Sequence, residues 1–429
     1  MSRLTCGRKG RISRTIGLSL LMTASLSGCT TISNWFADDD EIEIRTLKPI
    51  DAQFEPSMVW DTDVGDGISD YFSRLRPVYG DNKVFVASRH GDVAALDPQD
   101  GEPVWERNLA VFDEEGMLSA VAKLWRSGES ARIGGLAYDK QTVYIGTENG
   151  AIVAMDAATG ETKWSQSVEG EIISAPVVSE NVLVVNTGAG TLFGLNVDNG
   201  EQLWINESDV PPLTLRGISS PIAANGGTIV GTPTGKVQVN IIDSGLVAWE
   251  TAITKPSGAT ELERIVDVDV TPLLYGGIVY AISYNGTLAA IELRSGRVIW
   301  KREYGSYRDI SMQGNTLYVV DNNSVIYGLD RRNGVELWSQ SSLKKRSLTQ
   351  AEPVGDYLVV GDKWGFLHWV EQSSGKIVAR YDLGGDDEDE SVYVAPIVVG
   401  DNIIAITRDG TVAAITSPTA SSQDETPAQ

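Results

Sequence analysis

The chain repeats a pair of turn signals in which two small residues stand ten positions apart and a tryptophan follows four residues later. The pairs and the residues that follow them are Gly91/Gly101 with Trp105, Gly150/Gly160 with Trp164, Gly190/Gly200 with Trp204, Gly235/Gly245 with Trp249, Gly286/Gly296 with Trp300, Ser324/Gly334 with Trp338, and Gly365/Gly375 with Ala379. A register kept over so much of the chain indicates one array of structural repeats. The function must therefore be one that a repeat array can perform.

Each repeat is built from short β-rich runs rather than from helical patterns. Residues 142–146 and 278–282 are two such runs, bounded by glycine or asparagine turns. The five positions from Asp156 to Gly160 predict a tight hairpin, because an acidic side chain accepts backbone N–H bonds and glycine tolerates a positive φ. Four short antiparallel strands in each repeat are the unit of a β-propeller blade.

The number of blades follows from the way in which the ring closes. The eighth repeat, from Pro396 to Ile415, supplies three strands but lacks an outer strand with its tryptophan. Residues 58–60 at the other end of the array, which include Trp60, supply both. We therefore predict an all-β fold, an eight-bladed β-propeller over residues 56–416, in which the N-terminal strand completes the last blade. Such closure leaves no long free strand edge.

The repeated tryptophans are expected to be structural and to pack between neighbouring blades. They are Trp60, Trp105, Trp164, Trp204, Trp249, Trp300 and Trp338. Burying about 200 Å² of each at about 25 cal/mol per Å² gives roughly 5 kcal/mol of gross stabilisation.

The first 28 residues are predicted to be a lipoprotein signal peptide. Five basic residues precede an apolar stretch, from Ile16 to Leu26, that is too short to span a bilayer. The sequence Leu26-Ser-Gly-Cys29 resembles the lipobox of bacterial lipoproteins, which implies cleavage between Gly28 and Cys29 and acylation of Cys29. The alternative is an ordinary signal with a cysteine after its small residues. Thr30, by resemblance to enterobacterial sorting, favours the outer membrane, with the protein facing the periplasm.

Removal of the signal leaves a strongly acidic chain. The 35 basic residues lose the five of the signal, so 30 remain against 58 acidic residues, a net charge of −28. This charge argues against nucleic acid as a partner and against a polybasic membrane contact. Cys6 leaves with the signal, so Cys29 has no cysteine to pair with. Residues 29–55 are predicted to be a lipidated tether and residues 417–429 a disordered tail.

Two further segments stand outside the repeat pattern. The acidic run 386–390, like the run 38–41, is expected to be solvated, with a partner site as the alternative. Residues 106–133 form an insertion between the first two blades. Within it, Leu118, Val121, Ala122 and Trp125 have helical spacing, which predicts a helix that caps the disk or, alternatively, makes a contact of its own.

The repeat from Val143 to Trp164 resembles that of the quinoprotein (PQQ-type) propellers, and two stretches outside it are more specific. Residues 212–217, Pro-Leu-Thr-Leu-Arg-Gly, and residues 258–272 resemble the corresponding loops of the BamB family. Those proteins are propeller lipoproteins of the outer-membrane β-barrel assembly machinery. The resemblance implies a non-enzymatic scaffold that binds a BamA-like barrel protein with POTRA domains, within a multi-subunit complex, and aids barrel insertion. Unfolded outer-membrane proteins are possible clients.

The candidate site lies in these two stretches. Arg216 stands five residues before Pro221 and Asp267 five before Pro272, so the two are expected at equivalent positions on one face of neighbouring blades. Period-two alternation puts Asp269 on the same side as Asp267. Leu213 and Leu215 would surround the arginine with apolar surface, and the aspartates would stand behind it, as in a protein-binding hot spot. The alternative is an Arg–Asp pair that ties two loops together. The family resemblance implies that these five residues hold the BamA-like partner.

Enzymatic chemistry is not expected from this sequence. The PQQ and calcium that quinoprotein dehydrogenases hold on the propeller axis are typically accompanied there by a vicinal cysteine pair, which this chain lacks. His90 and His368 stand far apart at repeat positions and are expected to be surface or packing residues. We predict no catalytic residue, no metal site and no cofactor. The alternative is a periplasmic quinoprotein-like dehydrogenase with PQQ and calcium, or a propeller that binds a small ligand.

Overall fold

The computed structural model describes residues 43–110, 130–384 and 390–418. The chain divides into two compact units, Met1–Lys48 and Pro49–Gln429. Of the first unit, the structure describes residues 43–48, which begin with one turn of helix. The second unit begins at Pro49, whereas the sequence places the start of the propeller at residue 56. The predicted signal, Gly28 and Cys29 lie outside the described residues.

The second unit contains eight four-stranded sheets within the described residues. Blades one to four are formed by β2 (Val78–Gly80), β3 (Lys83–Ala87), β4 (Asp92–Leu96) and β5 (Pro103–Asn108); β6 (Ile133–Asp139), β7 (Thr142–Thr147), β8 (Ala151–Asp156) and β9 (Thr162–Ser167); β10 (Val177–Ser179), β11 (Val182–Asn186), β12 (Thr191–Asn196) and β13 (Gln202–Glu207); β14 (Ile222–Ala224), β15 (Gly227–Gly231), β16 (Lys236–Ile241) and β17 (Val247–Ala252).

The remaining blades continue the same order. They are β18 (Leu273–Tyr275), β19 (Ile278–Ile282), β20 (Leu288–Glu292) and β21 (Val298–Arg302); β22 (Ser311–Gln313), β23 (Thr316–Val320), β24 (Ile326–Asp330) and β25 (Glu336–Gln340); β26 (Glu352–Val354), β27 (Tyr357–Gly361), β28 (Phe366–Glu371) and β29 (Ile377–Asp382); and β30 (Ile397–Val399), β31 (Asn402–Ile406), β32 (Thr411–Thr416) with β1 (Met58–Asp63). All pairs are antiparallel, and the three-residue first strands of several neighbouring blades contact one another, so they line the propeller axis.

The ring closes as the sequence predicts. The N-terminal strand β1 pairs with β32, with Trp60 opposite Ala414 and Asp63 opposite Thr411. The N–H of Thr416 also donates to the carbonyl of Ser57, at 2.9 Å, which extends the seam by one hydrogen bond. The eight-bladed propeller, with its last blade built from both ends of the array, is therefore confirmed.

The outer-strand tryptophans join each blade to the next. The indole N–H of Trp60 donates to the carbonyl of Pro98 at 3.1 Å, and that of Trp204 to the carbonyl of Ile242 at 2.7 Å. Each ring lies on the hairpin glycine of the following blade. A Cβ on Gly245, whose φ is 69°, would stand 2.4 Å from the Trp204 ring. Glycine is thus needed there both for its backbone conformation and for the close approach of the ring.

The predicted insertion is shorter than expected at its start, because residues 106–108 belong to β5. Leu118, Val121, Ala122 and Trp125, which carry the helical spacing, lie outside the described residues. The same holds for residues 386–389 of the acidic run and for residues 419–429 of the predicted tail. Ser417, the first residue of that predicted tail, is instead buried and accepts a hydrogen bond from Trp369.

Candidate functional site

The two stretches that resemble the BamB loops stand side by side in the structure. Residues 208–221 lead from β13 into the first strand of blade four, and residues 253–272 lead from β17 into the first strand of blade five. Both connections run from the outer strand of one blade to the inner strand of the next, so they emerge on the same face of the disk. A hydrogen bond of 2.6 Å from the N–H of Leu215 to Oδ2 of Asp267 joins them directly.

Asp267 is a buried carboxylate, with 1% of the residue exposed. Burial raises its pKa to about 6, although the N–H groups of Leu215 and of Asp267 itself act in the opposite direction. Within the described part of the chain, its second oxygen, Oδ1, is buried without a hydrogen-bond partner. A buried polar atom of this kind is rare in folded proteins and calls for a physical explanation.

Asp269 is also buried and lies against the Arg216 loop. Burial raises its pKa to about 7; the charge of Arg74 lowers it and the charge of Asp267 raises it further. Oδ2 of Asp269 lies so close to Gly217 that a Cβ there would be 2.2 Å from it. Gly217 is therefore the residue that allows the two loops to pack together.

Arg216 is not backed by these aspartates, contrary to the expectation from the sequence. Its guanidinium pairs with Glu148 at 2.8 Å and with Glu171 at 3.8 Å, and 40% of its side chain is exposed. Asp267 binds the main chain of the same loop instead. The aspartates can thus hold the backbone beside the arginine, while glutamates of blade two and of its connection to blade three orient the guanidinium.

Glu148 is the residue that fixes Arg216 in place. It lies in the turn between β7 and β8 and accepts two hydrogen bonds from Arg89 of blade one, at 2.9 and 2.8 Å. Burial tends to raise its pKa, but the hydrogen bonds and charges of Arg89 and Arg216 outweigh burial and lower the pKa below its ordinary value. Arg89 in turn stacks on Tyr71, 3.6 Å from the ring centre. A row of alternating charges therefore runs from blade one to the Arg216 loop.

The register of the repeats could have predicted that Arg89 and Glu148 form an ion pair. Arg89 and Glu148 both stand two positions before the first glycine of their repeats, Gly91 and Gly150. Equivalent positions on neighbouring blades lie close together, so opposite charges there predict an ion pair. The pairing of Glu148 with Arg216, which comes from a longer loop outside the repeat, has no comparable signal.

Apolar side chains are exposed on both loops. Leu213 is 44% exposed, and Leu262 in the second loop is 71% exposed. Val210 is 40% exposed, whereas Leu215 is half-buried. Both loops therefore leave apolar side-chain surface uncovered by the rest of the protein.

Two cavities flank the Arg216 loop. The larger, of about 350 Å³, lies between blades three and four and is lined by Arg216, Asp269 and Glu171 among others. The smaller, of about 160 Å³, lies between the two loops and is lined by Leu213 and Asp267. All five residues predicted for the site therefore line one of these two cavities. The larger is lined by Leu215, Arg216 and Asp269, and the smaller by Leu213 and Asp267. The hydrogen bond between Leu215 and Asp267 also joins the two loops.

The axis of the propeller carries a short segment of the chain. Arg74 donates to the carbonyls of Asp269 at 2.5 Å and Tyr307 at 3.0 Å, which precede the inner strands of blades five and six. Arg76 binds the carbonyl of Ala395 at 3.0 Å and Glu352 at 2.8 Å, in blades eight and seven. The residue between the two arginines is 2% exposed. This segment therefore crosses the inner ends of four blades.

The residues on the axis do not fit PQQ and calcium. Arg74 and Arg76 fill the place where that cofactor and its metal would lie, with Arg74 paired with Asp309 at 3.6 Å and Arg76 with Glu352 at 2.8 Å, and their positive charges oppose a calcium ion there. Among the described residues, no group of three or more His, Cys, Asp and Glu side chains is placed to hold a metal ion. His90 lies in a turn of blade one, and His368 is buried in blade seven, where its Nε2 is 2.9 Å from Asp362.

The part of the chain that the structure describes contains no helix with the length and apolarity needed to cross a membrane.

The fold and the site together define an eight-bladed propeller of quinoprotein-like repeats, with a surface formed by the two loops that lead into its fourth and fifth blades. A family model described as "Outer membrane protein assembly factor BamB" matches residues 55–117, 114–340 and 322–423. A relative of that description from Alteromonas naphthalenivorans is 62% identical over 413 residues, covering 96% of this chain and 99% of the relative. Another, from Escherichia coli K12, is 36% identical and covers 92% of this chain and 97% of the relative. The chain belongs to the BamB family of outer membrane protein assembly factors.

Solved structures share the fold at lower identity. BamB from Moraxella catarrhalis is 23% identical, with a TM-score of 0.72 over 84% of this chain and 100% of that one. A quinohemoprotein alcohol dehydrogenase from Comamonas testosteroni is 14% identical, with a TM-score of 0.62 over 85% of this chain and 77% of that one. Since a BamB protein and an alcohol dehydrogenase both have this architecture, function must be argued from the site.

Proposed function

We propose that this protein is a non-enzymatic scaffold lipoprotein of the outer-membrane protein assembly machinery. It binds a BamA-like barrel protein through the POTRA domains of that partner and aids the insertion of β-barrel proteins into the outer membrane. The relatives are named as outer membrane protein assembly factors, and this supports the proposed role. The complex has several subunits, and unfolded outer-membrane proteins are its clients.

The observation that carries the proposal is the joined pair of loops that lead into blades four and five. The bond from Leu215 to Asp267 holds the two loops in one arrangement, so the surface they present is preorganised. That surface offers an exposed leucine, Leu213, and a partly exposed arginine, Arg216, whose orientation is fixed by a buried glutamate. Arginine and apolar anchors in a rigid setting are the composition of a protein-binding hot spot.

Anchoring and location form part of the same proposal. Acylation of Cys29 would hold the chain on the inner leaflet of the outer membrane, and a tether up to residue 48 would let the propeller face the periplasm. The net charge of −28 after removal of the signal keeps the propeller away from acidic lipid head groups.

The alternative, a quinoprotein-like enzyme or small-ligand binder, is less well supported. Arg74 and Arg76 cross the inner ends of blades five to eight, where a cofactor on the axis would have to bind. An absorbance titration of the purified protein with PQQ and Ca²⁺ discriminates directly. A stoichiometric complex with a shifted cofactor spectrum would favour the alternative.

Affinity purification from solubilised membranes tests the proposed role. The tagged full-length protein should retain one abundant partner, a barrel protein with POTRA domains, through washing at moderate salt. A matched sample that carries Arg216→Ala should lose that partner while keeping its normal yield and folded spectrum. Recovery of the wild-type protein without any barrel protein would contradict the proposal.

A further inference from the structure

Two consecutive aromatic side chains are exposed on the segment that leads into the first blade. Residues 64–77 connect β1, the outer strand of blade eight, to β2, the inner strand of blade one. On this segment Tyr71 is 46% exposed and Phe72 is 37% exposed. The segment runs from an outer strand to the next inner strand, as the two loops into blades four and five do. Tyr71 and Phe72 therefore lie on the same face of the disk as those loops.

Large apolar side chains are exposed at few places on this face. Among the described residues of the connections between blades, the exposed large aliphatic and aromatic side chains are those of Tyr71, Phe72, Val210, Leu213 and Leu262. The last three belong to the loops into blades four and five, so the aromatic pair is the apolar surface that those loops do not account for. Tyrosine and phenylalanine are enriched in protein interfaces.

A chain of contacts joins the aromatic pair to the Arg216 loop. The guanidinium of Arg89 lies 3.6 Å from the centre of the Tyr71 ring. The same guanidinium donates two hydrogen bonds to Glu148, at 2.9 and 2.8 Å. Glu148 in turn pairs with Arg216 at 2.8 Å. Tyr71 and Arg216 are therefore parts of one continuous surface, and a domain that covers Arg216 has Tyr71 within its reach.

The backbone beneath the aromatic pair is held by blade eight. Arg408, in the turn between β31 and β32, donates from Nε to the carbonyl of Ser69 at 3.1 Å and from Nη2 to the carbonyl of Tyr71 at 3.2 Å. Ile68 is fully buried, and its N–H donates to the carbonyl of Arg408 at 2.8 Å. The two rings are thus presented from a fixed segment, which lowers the conformational cost of binding.

We propose that Tyr71 and Phe72 form a further anchor for the POTRA-bearing partner, which covers the two rings with an apolar surface of its own. Aromatic rings bury a large apolar area and lose little conformational entropy when they do so. Arg89 covers one face of the Tyr71 ring and leaves the rest of the ring to the partner. The inference rests on the proposed function and deepens it, because it extends the interface from blades four and five across the disk to blade one.

Replacement of the two rings tests the anchor. In titration calorimetry with the POTRA-bearing part of the BamA-like protein, the double variant Tyr71→Ser with Phe72→Ser should bind at least about 30-fold more weakly than the wild type. Tyr71→Phe keeps a ring over Arg89 and should bind as the wild type does. The matched control is Tyr275→Ser, which should change nothing. Tyr275 is 45% exposed and has Arg331 at 4.6 Å from its ring centre, but it ends β18 on the opposite face of the disk.

Hydroxyl-radical footprinting of the full-length protein separates direct contact from an effect transmitted through Arg89. Addition of the partner should lower the oxidation of Tyr71 and Phe72 several-fold and leave Tyr275 as reactive as in the free protein. Weaker binding by the double variant without protection of the two rings would mean that Tyr71 merely holds Arg89 in place. That result would overturn the proposed anchor.

The outcomes distinguish this anchor from the function on which it rests. A wild-type protein that does not bind the POTRA-bearing part would contradict the proposed function, and the anchor with it. Normal binding by the folded double variant, or rings that stay reactive in a complex that does form, would overturn the anchor alone and leave the scaffold role in place.

Discussion

Trp369 and Ala379 lie opposite each other on β28 and β29, in the reverse of the arrangement found in the other blades. Elsewhere a small residue or a valine of the third strand pairs with a tryptophan of the outer strand, as Ala154 does with Trp164. In blade seven the tryptophan stands on the third strand and the alanine on the outer one. Trp369 donates its indole N–H to Oγ of Ser417 in blade eight, at 2.9 Å, so it reaches the next blade as its counterparts do.

Residues before the first strand complete the packing around this tryptophan. The ring of Phe54 lies edge-on to that of Trp369, with 6.2 Å between the ring centres, and 5.1 Å from that of Tyr357. The N–H of Gln53 donates to the carbonyl of Val378 on the outer strand, at 2.8 Å. Part of the segment that the sequence assigns to a tether therefore belongs to the structure of blade seven.

Exchange of the two residues should restore the common arrangement. Trp369→Ala leaves a large cavity beside Ala379 and should cost about 3–5 kcal/mol of unfolding free energy. Adding Ala379→Trp should recover more than half of that loss, because the indole returns to the same space from the neighbouring strand. Urea denaturation measures both effects.

The control for this exchange is Leu337→Ala on the outer strand of blade six. Leu337 is 57% exposed, so its truncation should change stability by less than about 0.5 kcal/mol. A double variant no more stable than Trp369→Ala would show that blade seven has adapted to its tryptophan in ways that the exchange cannot reverse.

The fold could be predicted from the sequence because its determinants are local. A hairpin such as Asp156 to Gly160 depends on a few neighbouring residues, and the main-chain bond from Gly160 to Asp156, at 2.8 Å, forms in it as expected. The role of Trp369 could not be predicted in this way. It depends on which residue of β28 faces Ala379, and that register becomes known only once the strands are paired.

Closure of the ring is a second property that can be measured. Trp60→Ala should cost about 3–5 kcal/mol, as should Trp105→Ala inside the array, because each ring packs on a hairpin glycine of the next blade. Deletion of residues 56–62 should have a larger effect, since it removes the strand itself and exposes the edge of β32. Cooperative unfolding of the deletion variant at an unchanged midpoint would contradict the closure.

The two buried aspartates should make stability fall as pH rises. Asp269 has a pKa of about 7 in the folded protein, above the ordinary 3.8, so the folded state holds a proton that the unfolded state releases. Through Asp269 alone, the free energy of unfolding should therefore decrease between about pH 4 and 7, by up to about 1.4 kcal/mol per pH unit. Asp269→Asn should be more stable than the wild type at about pH 8 and equal to it near pH 4.

Asp330 provides a comparison with the opposite sign. A hydrogen bond from the Arg332 side chain lowers its pKa to about 2. Its favourable contribution is thus fully present above about pH 4 and is lost only in stronger acid. Asp330→Asn should shift the stability curve without changing its slope between about pH 5 and 8. An unchanged slope in Asp269→Asn as well would refute the assignment of the pH dependence to that carboxyl.

Anchoring can be tested at the only two cysteines of the chain. Cys29→Ser should release the protein from membranes or leave it uncleaved, because acyl chains contribute about 0.8 kcal/mol for each buried CH₂. Cys6→Ser, within the predicted signal, is the matched control and should fractionate with the wild type. Equal retention of Cys29→Ser in membranes after a salt wash would count against lipidation at this residue.

The site could be predicted only in part, for a geometric reason. The five residues come from two loops whose positions follow from the repeat, so their proximity could be expected. The partner of Arg216 could not, because Glu148 belongs to a turn of blade two and reaches the loop only across the face of the disk. The burial of Asp267 could not be predicted either, since nothing in an Asp-Val-Asp sequence distinguishes two buried aspartates from two exposed ones.

Arg216 and Asp267 should contribute to partner binding almost independently. Their side chains do not form an ion pair with each other: Arg216 binds Glu148, whereas Asp267 binds the N–H of Leu215. Arg216→Ala should weaken binding by about 30- to 1,000-fold, while Glu148 keeps its two hydrogen bonds from Arg89 and the fold stays intact. Arg216→Lys should recover little, because a lysine cannot present the planar fork of donors.

The double variant Arg216→Ala with Asp267→Asn decides how the two residues act. If each makes its own contact with the partner, their free energies should add to within about 0.5 kcal/mol. Strong non-additivity in isothermal titration would instead mean that both act by holding one conformation of the Leu215 segment. Normal binding by a folded Arg216→Ala protein would move the interface away from these loops altogether. Of these results, additivity is the one that the separate cavities on the two sides of the loop favour, because each offers the partner a place of its own.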